Sequence, residues 1–355
     1  MKKFVFTFIL IFLAILYSLA FLEGVLRLAS LCKDVKFSLV DDPGKRVGVS
    51  QYDETLGWKN RPQYKELFHL AHRDVLEKIN SSGWRDRKYA LAKGENVFRI
   101  AVVGCSRTYG YGVNMEETFS KELERRLNAE YARPFEVLNF GVNGYGLTQM
   151  ALNYLMNVRK YSPDLVFLQF YAPTIHRMAY TQMWGTPKPA YVLKDGELLV
   201  LNVPVPLNRF NPVETWFLKR SLLYKFIKQE FLKDKEMLRH RAEKRVGFNK
   251  NMNVLAAKIL AYLNAAITRD GSRLVVFTWG ENTGWSESIF NSADVEYFVL
   301  DDFADFDKWR QLGDTENPPP AGHWSPIGHK FVAEAMMHYL ESDVFAKDMG
   351  FSHAE

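Results

Sequence analysis

A chain of 355 residues with 47% apolar residues can bury a substantial core, and it has room for one large domain with insertions or for two ordinary ones. Its 46 basic and 41 acidic residues give a net charge of +5 and are interspersed along the chain. Nucleic-acid binding is not indicated, because the sequence has no basic stripe with interleaved aromatics. Cys32 and Cys105 are the only cysteines, and they indicate neither a disulfide framework nor a zinc site.

The N-terminus has the pattern of a membrane segment. Lys2 and Lys3 precede a nearly unbroken apolar run from Phe4 to Leu22, close to the roughly 20 residues that span a bilayer. Positive charge before the span predicts an extracytoplasmic location for everything after it. A cleaved signal peptide is the alternative, because Ser18 and Ala20 could form a small-residue cleavage site.

Short apolar runs recur from residue 99 onward and predict the strands of a parallel sheet buried on both faces. These runs are RIAVVG (99–104), EVLNFGV (136–142), DLVFLQF (164–170), RLVVFTW (273–279) and VEYFVL (295–300). Between the first two, Asn114 and Glu117 form a capping box before a helix whose inner face is Phe119, Leu123 and Leu127. Repetition of this strand, helix, strand unit predicts a doubly wound α/β domain.

Three regions follow from this pattern. Residues 1–33 form the membrane anchor or signal peptide, 34–98 a lead-in segment packing on the main domain, and 99–345 the main domain. An insertion at about 185–268 interrupts that domain. It contains a predicted β-hairpin over 190–203, with Asp195 and Gly196 at its turn, and long helices over 214–268 that are candidates for a cover or partner surface.

A candidate nucleophile follows the first predicted strand. Ser106 comes just after Gly104, where a tight turn can expose its hydroxyl and backbone N–H at the carboxyl end of the strand. An ordinary turn serine remains the alternative. Cys105 is a second candidate nucleophile, but its side chain should point into the fold because side chains alternate at a strand end.

A serine needs a base, and His323 is the candidate. It lies in the loop before the last predicted helix, whose start is marked by Ser325 as N-cap and Pro326 at the first helical position. A capping or packing role for His323 is the alternative. His329, inside the helix, is expected to be structural, while Tyr109, Tyr111 and Trp324 fit either a sugar-stacking rim or core packing.

These blocks together resemble the SGNH (GDSL-type) hydrolase family, specifically exported members with one N-terminal membrane helix. The resemblance runs through INSSGWRDR, FRIAVVGCSRTYGYGV, EVLNFGVNGYGLTQ, SPDLVFLQFY and GHWSPIGH in the correct order. It implies a flavodoxin-like three-layer α/β fold, with Ser106 as nucleophile and His323 as base. The N–H groups of Ser106 and Gly144 would form the oxyanion hole, and no metal or organic cofactor is needed.

The chain departs from the family pattern at three places. Cys105 stands where the family has Asp, and Pro173 stands where it has an Asn that completes the oxyanion hole, followed by Thr174 in place of Asp. Pro320 and Ala321 occupy the positions of the triad acid. Asn143 could replace the missing amide, and Asp314 or Glu316 could replace the acid.

The expected function is therefore ester hydrolysis or acyl transfer on an envelope carbohydrate or lipid, by a membrane-anchored protein facing away from the cytoplasm. The alternative is a catalytically degenerate binding or assembly subunit beside a membrane protein partner. Loss of one oxyanion donor typically costs about 10² to 10³ in turnover, and loss of the acid that orients the base can cost about as much or more. Pro173 and Ala321 therefore keep this alternative open.

Overall fold

The computed structural model describes most of the chain and separates it into two compact units. The described residues are 2–32, 48–70, 73–178, 180–183, 186–207, 216–217, 220–224, 226–227, 248–280, 283–303 and 323–342. One unit comprises residues 1–48 and 207–248, and the other comprises 49–206 and 249–355. The region boundaries expected from the sequence remain predictions.

The first unit is built on helix α1 (Lys2–Cys32). Its segment Lys3–Leu28 has a mean hydropathy of 2.7 and none of it is buried, so it is long and apolar enough to cross a membrane. The carboxylate of Glu23 accepts hydrogen bonds from the backbone N–H groups of Leu222 and Leu223 and from the Ser221 hydroxyl. These contacts attach a later segment of the same unit to the C-terminal part of α1.

In its described residues, the second unit has a five-stranded parallel sheet and four two-stranded antiparallel ladders. Its strands are β1 (Ser50–Asp53), β2 (Gly57–Asn60), β3 (Lys65–Leu70), β4 (Arg73–Lys78), β5 (Phe98–Gly104), β6 (Phe135–Gly141), β7 (Leu165–Gln169), β8 (Gln182–Met183), β9 (Thr186–Pro187), β10 (Ala190–Lys194), β11 (Glu197–Leu201), β12 (Arg273–Thr278) and β13 (Glu296–Val299). Its helices are α2 (Ser106–Tyr109), α3 (Phe119–Glu130), α4 (Leu147–Met156), α5 (Ala172–Met178), α6 (Phe248–Arg269), α7 (Gly284–Ala293) and α8 (Pro326–Glu341).

The parallel sheet has the strand order β13-β12-β7-β5-β6. If these five strands are numbered 1 to 5 along the chain, the order across the sheet is 2-1-3-4-5, which is the flavodoxin-like order. All five strands coincide with the apolar runs in the sequence, and the predicted α/β fold class is confirmed. Alternate residues of each strand face opposite sides of the sheet, and both sides are buried.

One face of the sheet packs against α3 and α8. Phe98, Ile100 and Val102 of β5 join one hydrophobic cluster with Phe119, Leu123 and Leu127 of α3. These three α3 side chains are completely buried, which confirms the helical face predicted from their spacing. Asn114 and Glu117 form the predicted capping box on a 3₁₀ turn (Met115–Glu117) just before α3.

Helices α4 and α7 contact the opposite side of the sheet. The amide of Asn153 in α4 lies 3.5 Å from the carbonyl oxygen of Phe140, in β6. The ring of Phe290 in α7 meets that of Phe170 edge-on at 4.7 Å. The sheet therefore forms the middle of three layers, as the resemblance implies.

The insertion contains the predicted hairpin. β10 and β11 pair in antiparallel register from Ala190 with Leu201 to Lys194 with Glu197. Asp195 (φ 54°) and Gly196 (φ 83°) both adopt left-handed conformations, which a two-residue type I′ turn requires. Of the long helices expected over 214–268, α6 is described, whereas much of the preceding stretch lies outside the described residues.

Candidate active site

Ser106 begins the short helix α2, directly beyond the carboxyl end of β5. The chain turns there because Tyr109 and Gly110 donate their N–H groups to the carbonyls of Cys105 and Ser106, at 2.8 and 3.0 Å. Gly110 then ends the helix in a left-handed conformation at φ 82°, which glycine adopts without a steric penalty. This single turn leaves the Ser106 side chain partly exposed, while Cys105 is completely buried.

Position 104 needs glycine because neighbouring atoms leave no room for a side chain, and its backbone conformation does not require glycine. A Cβ atom at this position would lie 2.0 Å from Thr108 Oγ1 and 2.4 Å from Gln169 Oε1. Gly141, at the end of β6, is equally confined, since its Cβ would lie 2.2 Å from the backbone nitrogen of Tyr109. The two glycines let α2 pack directly onto the end of the sheet.

The structure brings His323 to Ser106 across 217 residues of sequence: His323 Nε2 lies 2.8 Å from Ser106 Oγ. The imidazole is placed by the start of α8, where the Ser325 hydroxyl caps the helix by accepting from the Gly328 N–H and Pro326 follows as predicted. The ring of Tyr111 packs beside the His323 ring, with their centroids 5.0 Å apart and their planes tilted by 50°. Both members of the pair are partly exposed, so a solute can reach them.

Two of the three predicted oxyanion residues, Asn143 and Gly144, lie in the loop after β6, at the same edge of the sheet as the third, Ser106. The Val142 N–H donates to the Gly104 carbonyl at 3.1 Å and ties this loop to the end of β5. Gly144 has φ 79°, and the Asn143 carbonyl accepts from the indole N–H of Trp58 at 2.8 Å. The Asn143 Oδ1 atom is buried without a hydrogen-bond partner among the described residues. Their oxyanion role stays a prediction.

The candidate acids Asp314 and Glu316 lie outside the described residues, as do Pro320 and Ala321. The acid role of Asp314 or Glu316 stays a prediction.

The segment after β7, where the family has its amide, is occupied by Tyr171 and the start of α5. The Cys105 thiol lies 3.6 Å from the Tyr171 hydroxyl and 3.8 Å from Ser106 Oγ. Thr174 bonds back to the Tyr171 carbonyl at 2.6 Å, and Pro173 is half-buried in the first turn of α5. Burial, followed by the nearby Cys105, raises the pKa of Tyr171 to about 12, so its phenol remains a hydrogen-bond donor.

Gln169 is a structural determinant of the serine turn that the sequence analysis missed. Its Oε1 accepts three hydrogen bonds, from Cys105 N at 3.1 Å, Thr108 N at 3.2 Å and Thr108 Oγ1 at 2.6 Å. The residue is fully buried at the end of β7. A polar residue closing the otherwise apolar run LVFLQ was the available signal, because buried amides are retained when their hydrogen bonds are satisfied.

Arg85, in the lead-in segment, is the second residue that was missed. Its Nη1 donates to the carbonyls of Tyr109 and Gly110 at 2.9 and 2.6 Å, and its Nη2 donates to the Val113 carbonyl. The guanidinium also stacks 4.9 Å from the Tyr109 ring centroid. This buried cation connects the lead-in segment to the loop that carries Ser106.

His329 and two of the three candidate rim aromatics are structural. His329 Nδ1 accepts the Phe119 N–H at 3.1 Å, and burial lowers its pKa to about 3. Tyr109 and Trp324 are buried, and the Tyr109 hydroxyl donates to Glu77. Only Tyr111 among these aromatics is substantially exposed, at 41%. A rim formed by all three is therefore wrong, because two of the rings fill the core.

Comparison with known proteins finds no matching family model and no matching curated protein. Several solved structures are similar to this chain. The esterase EstA from Pseudoalteromonas sp. has a TM-score of 0.40 and 12% identity, over 70% of this chain and 97% of its own. The acetylxylan esterase Axe2 from Geobacillus stearothermophilus has a TM-score of 0.38 and 11% identity, over 69% and 95%. The lipase/acylhydrolase from Enterococcus faecalis has a TM-score of 0.36 and 12% identity, over 73% and 99%. At this level of similarity, activity has to be argued from the residues of the site itself.

Proposed function

We propose that the protein is a membrane-anchored, extracytoplasmic serine hydrolase of the SGNH type that cleaves or transfers an ester-linked acyl group. The observation that carries this proposal is the 2.8 Å contact between Ser106 Oγ and His323 Nε2 at the carboxyl edge of the sheet. A hydroxyl becomes a useful nucleophile when an imidazole can take its proton at hydrogen-bond distance.

In the proposed reaction, Ser106 Oγ attacks the ester carbonyl and His323 takes the hydroxyl proton. The tetrahedral oxyanion is stabilised by the N–H groups of Ser106 and Gly144, with the Asn143 amide as a further donor. When the carbon–oxygen bond to the alcohol breaks, His323 returns the proton to the leaving oxygen. Water, or an acceptor hydroxyl, then attacks the acyl-serine by the same steps in reverse. Asp314 is the proposed acid that orients His323.

The location and substrate class are proposed from the N-terminus and from the family resemblance. The apolar segment Lys3–Leu28 would hold the chain in the membrane, with Lys2 and Lys3 on the cytoplasmic side. The hydrolase unit would then act on acyl or acetyl esters of an envelope carbohydrate or lipid. A signal peptide in place of the anchor would release the same unit on the same side.

One observation favours a second function. Pro173 offers no N–H group and no side-chain amide at the place where the family has its third oxyanion donor. A site weakened in this way could have become a binding or assembly subunit that uses the fold without catalysis, next to a membrane protein partner. The experiment must therefore separate an inert serine from a reactive one.

The test uses the full chain in detergent micelles, with a fluorophosphonate probe and a 4-nitrophenyl acetate assay. We expect labelling and hydrolysis in the wild type and in Cys105→Ala, and loss of both in Ser106→Ala. Ser81→Ala, at an exposed serine, is the matched control and should behave as the wild type. Folded wild-type protein without labelling and without hydrolysis would refute the hydrolase and leave the binding subunit.

A further inference from the structure

Arg107, the residue after Ser106, lies among aromatic rings at the carboxyl ends of three neighbouring strands. Its guanidinium carbon is 4.6 Å from the ring centroid of Tyr171, 5.0 Å from that of Trp279 and 5.8 Å from that of Trp324. Tyr171 and Trp279 follow β7 and β12, the two strands beside β5 on this side of the sheet. The cation therefore sits next to the proposed nucleophile and at the same edge.

The aromatic rings also pack on one another, which fixes the position of the guanidinium. Tyr171 stacks on Trp279 at 5.1 Å, and Trp279 meets Trp324 edge-on at 4.8 Å. Trp324 directly follows His323 in sequence, so one of these rings belongs to the residue next to the proposed base. A planar guanidinium held between rings loses little freedom when it binds a planar anion.

The charge of Arg107 is poorly compensated by the protein. No carboxylate forms an ion pair with it in the described part of the chain, and its buried Nε atom has no hydrogen-bond partner there. The Tyr171 hydroxyl is a polar neighbour but carries no charge. Burial is the main cause that lowers the pKa of Arg107. Tyr171, which also hydrogen-bonds to the guanidinium, and Cys105 act in the opposite direction, and the positive charge of Arg177 adds to the lowering. Cation–π contacts offset only part of the desolvation of a guanidinium.

A partly exposed cation without a carboxylate partner in the described part of the chain, beside the proposed nucleophile, is suited to an anionic ligand. We propose that Arg107 binds an anionic group of the substrate, a carboxylate or a phosphate, close to the ester that Ser106 attacks. This inference rests on the proposed function and adds the charge class of its substrate. Arg107 is a specificity-determining residue in this proposal and takes no proton.

The test compares esters that differ in one charge, with the full chain in uncharged detergent. In the first pair, 4-acetoxybenzoate and 4-acetoxybenzamide, the charge is on the leaving alcohol. In the second pair, mono-4-nitrophenyl adipate and 4-nitrophenyl hexanoate, it is on the acyl group. We expect the wild type to prefer the anionic member of at least one pair in kcat/KM by about tenfold or more. The pair that shows the preference identifies which side of the ester carries the anion.

The preference should disappear in Arg107→Met and persist in part in Arg107→Lys, which keeps the charge but loses the planar fork. Arg125→Met is the matched control, because Arg125 is an exposed arginine on α3 that pairs with Glu122. It should leave the preference unchanged. Equal preference in the wild type and Arg107→Met, or no preference in either pair, would overturn the inference.

A binding measurement separates this inference from the proposed function. Isothermal titration of Ser106→Ala with benzoate, inorganic phosphate and benzamide should show heat for an anion and none for benzamide. The heat should be lost in the Ser106→Ala/Arg107→Met double variant. If anions bind through Arg107 but the wild type is not labelled at Ser106, the anion site is supported and the proposed hydrolase function is refuted. Ester hydrolysis without charge preference or anion binding would sustain the hydrolase and refute the anion site.

Discussion

The Nη1 atom of Arg85 lies 2.6 Å from the carbonyl oxygen of Gly110, the residue that ends the helical turn begun by Ser106. With the bonds to Tyr109 and Val113, one side chain of the lead-in segment satisfies three carbonyls of the nucleophile loop. Arg85→Met removes these three hydrogen bonds and leaves the Gly110 carbonyl with the Val113 N–H as its donor, and we expect the free energy of unfolding to fall by about 2–5 kcal/mol. Thermal unfolding of the full chain in detergent measures this loss.

Arg85→Met should also lower kcat, because the loop that carries Ser106 loses its support. Arg87→Met is a suitable control, since the Arg87 side chain is more exposed and pairs with Glu124 instead of the loop. Arg85→Met with wild-type melting and turnover would show that the three hydrogen bonds do not determine the shape of the loop.

Gly104→Ala tests whether the end of β5 needs glycine for space. The added methyl group would lie 2.0 Å from Thr108 Oγ1, and we expect a loss of about 2 kcal/mol or more, as in overpacked cores. Fluorophosphonate labelling at Ser106 should slow at the same time. Gly284→Ala is the control, because its Cβ meets nothing within 4 Å, and it should keep wild-type stability and labelling. A well-tolerated Gly104→Ala would mean that α2 can shift without consequence.

His323→Gln should remove the general base while leaving the fold intact. We expect kcat for a nitrophenyl ester to fall by about 10⁴-fold or more, because an unassisted serine hydroxyl is a poor nucleophile. His338→Gln, at an exposed histidine of α8, should retain full activity. Comparable activity in the two variants would assign the base to another residue.

His329 should make stability depend on pH. Burial is the main cause that lowers its pKa from 6.5 to about 3, and electrostatic interactions with Arg85 and His323 add to it. Between these values the unfolded chain binds a proton that the folded chain does not, so stability rises with pH by up to about 1.4 kcal/mol per unit. The stabilisation is present above pH 6.5 and is lost as pH falls toward 3.

Melting temperatures at pH values from 4 to 7 check this slope. His329→Gln should be less stable near pH 7, because the Phe119 N–H loses its acceptor, but its melting temperature should vary less with pH. His338→Gln should keep the wild-type slope. An unchanged slope in His329→Gln would assign the pH dependence to other groups.

The sequence predicted those features that depend on periodicity. Continuous apolar runs identify strands buried on both sides, and the carboxyl ends of parallel strands lie at one edge, which is why Ser106 and a loop after the sheet could be expected to meet. Asp195 and Gly196 identified their hairpin because few residues tolerate two consecutive left-handed conformations.

Buried polar contacts escaped prediction because they have no period in the sequence. Arg85 and Gln169 act through carbonyls and N–H groups that come from distant parts of the chain, and nothing in their local sequence names these partners. Gly104 was expected to serve a tight turn, whereas its neighbours Thr108 and Gln169 leave no room for a side chain. Such requirements become visible only when packing is known.

The path of the backbone decides where a ligand can bind in this architecture. The chain leaves β5 toward α3 on one face of the sheet, and it leaves β7 toward α5, which contacts α4 on the other face. In doubly wound sheets, ligands generally bind at such a change of direction, outside the carboxyl ends of the strands. The Ser106 hydroxyl and the His323 imidazole meet beyond the carboxyl end of β5, at a place that the order of the strands sets and their own chemistry does not. Evolution could exchange catalysis for recognition here, or the reverse, without rebuilding the sheet.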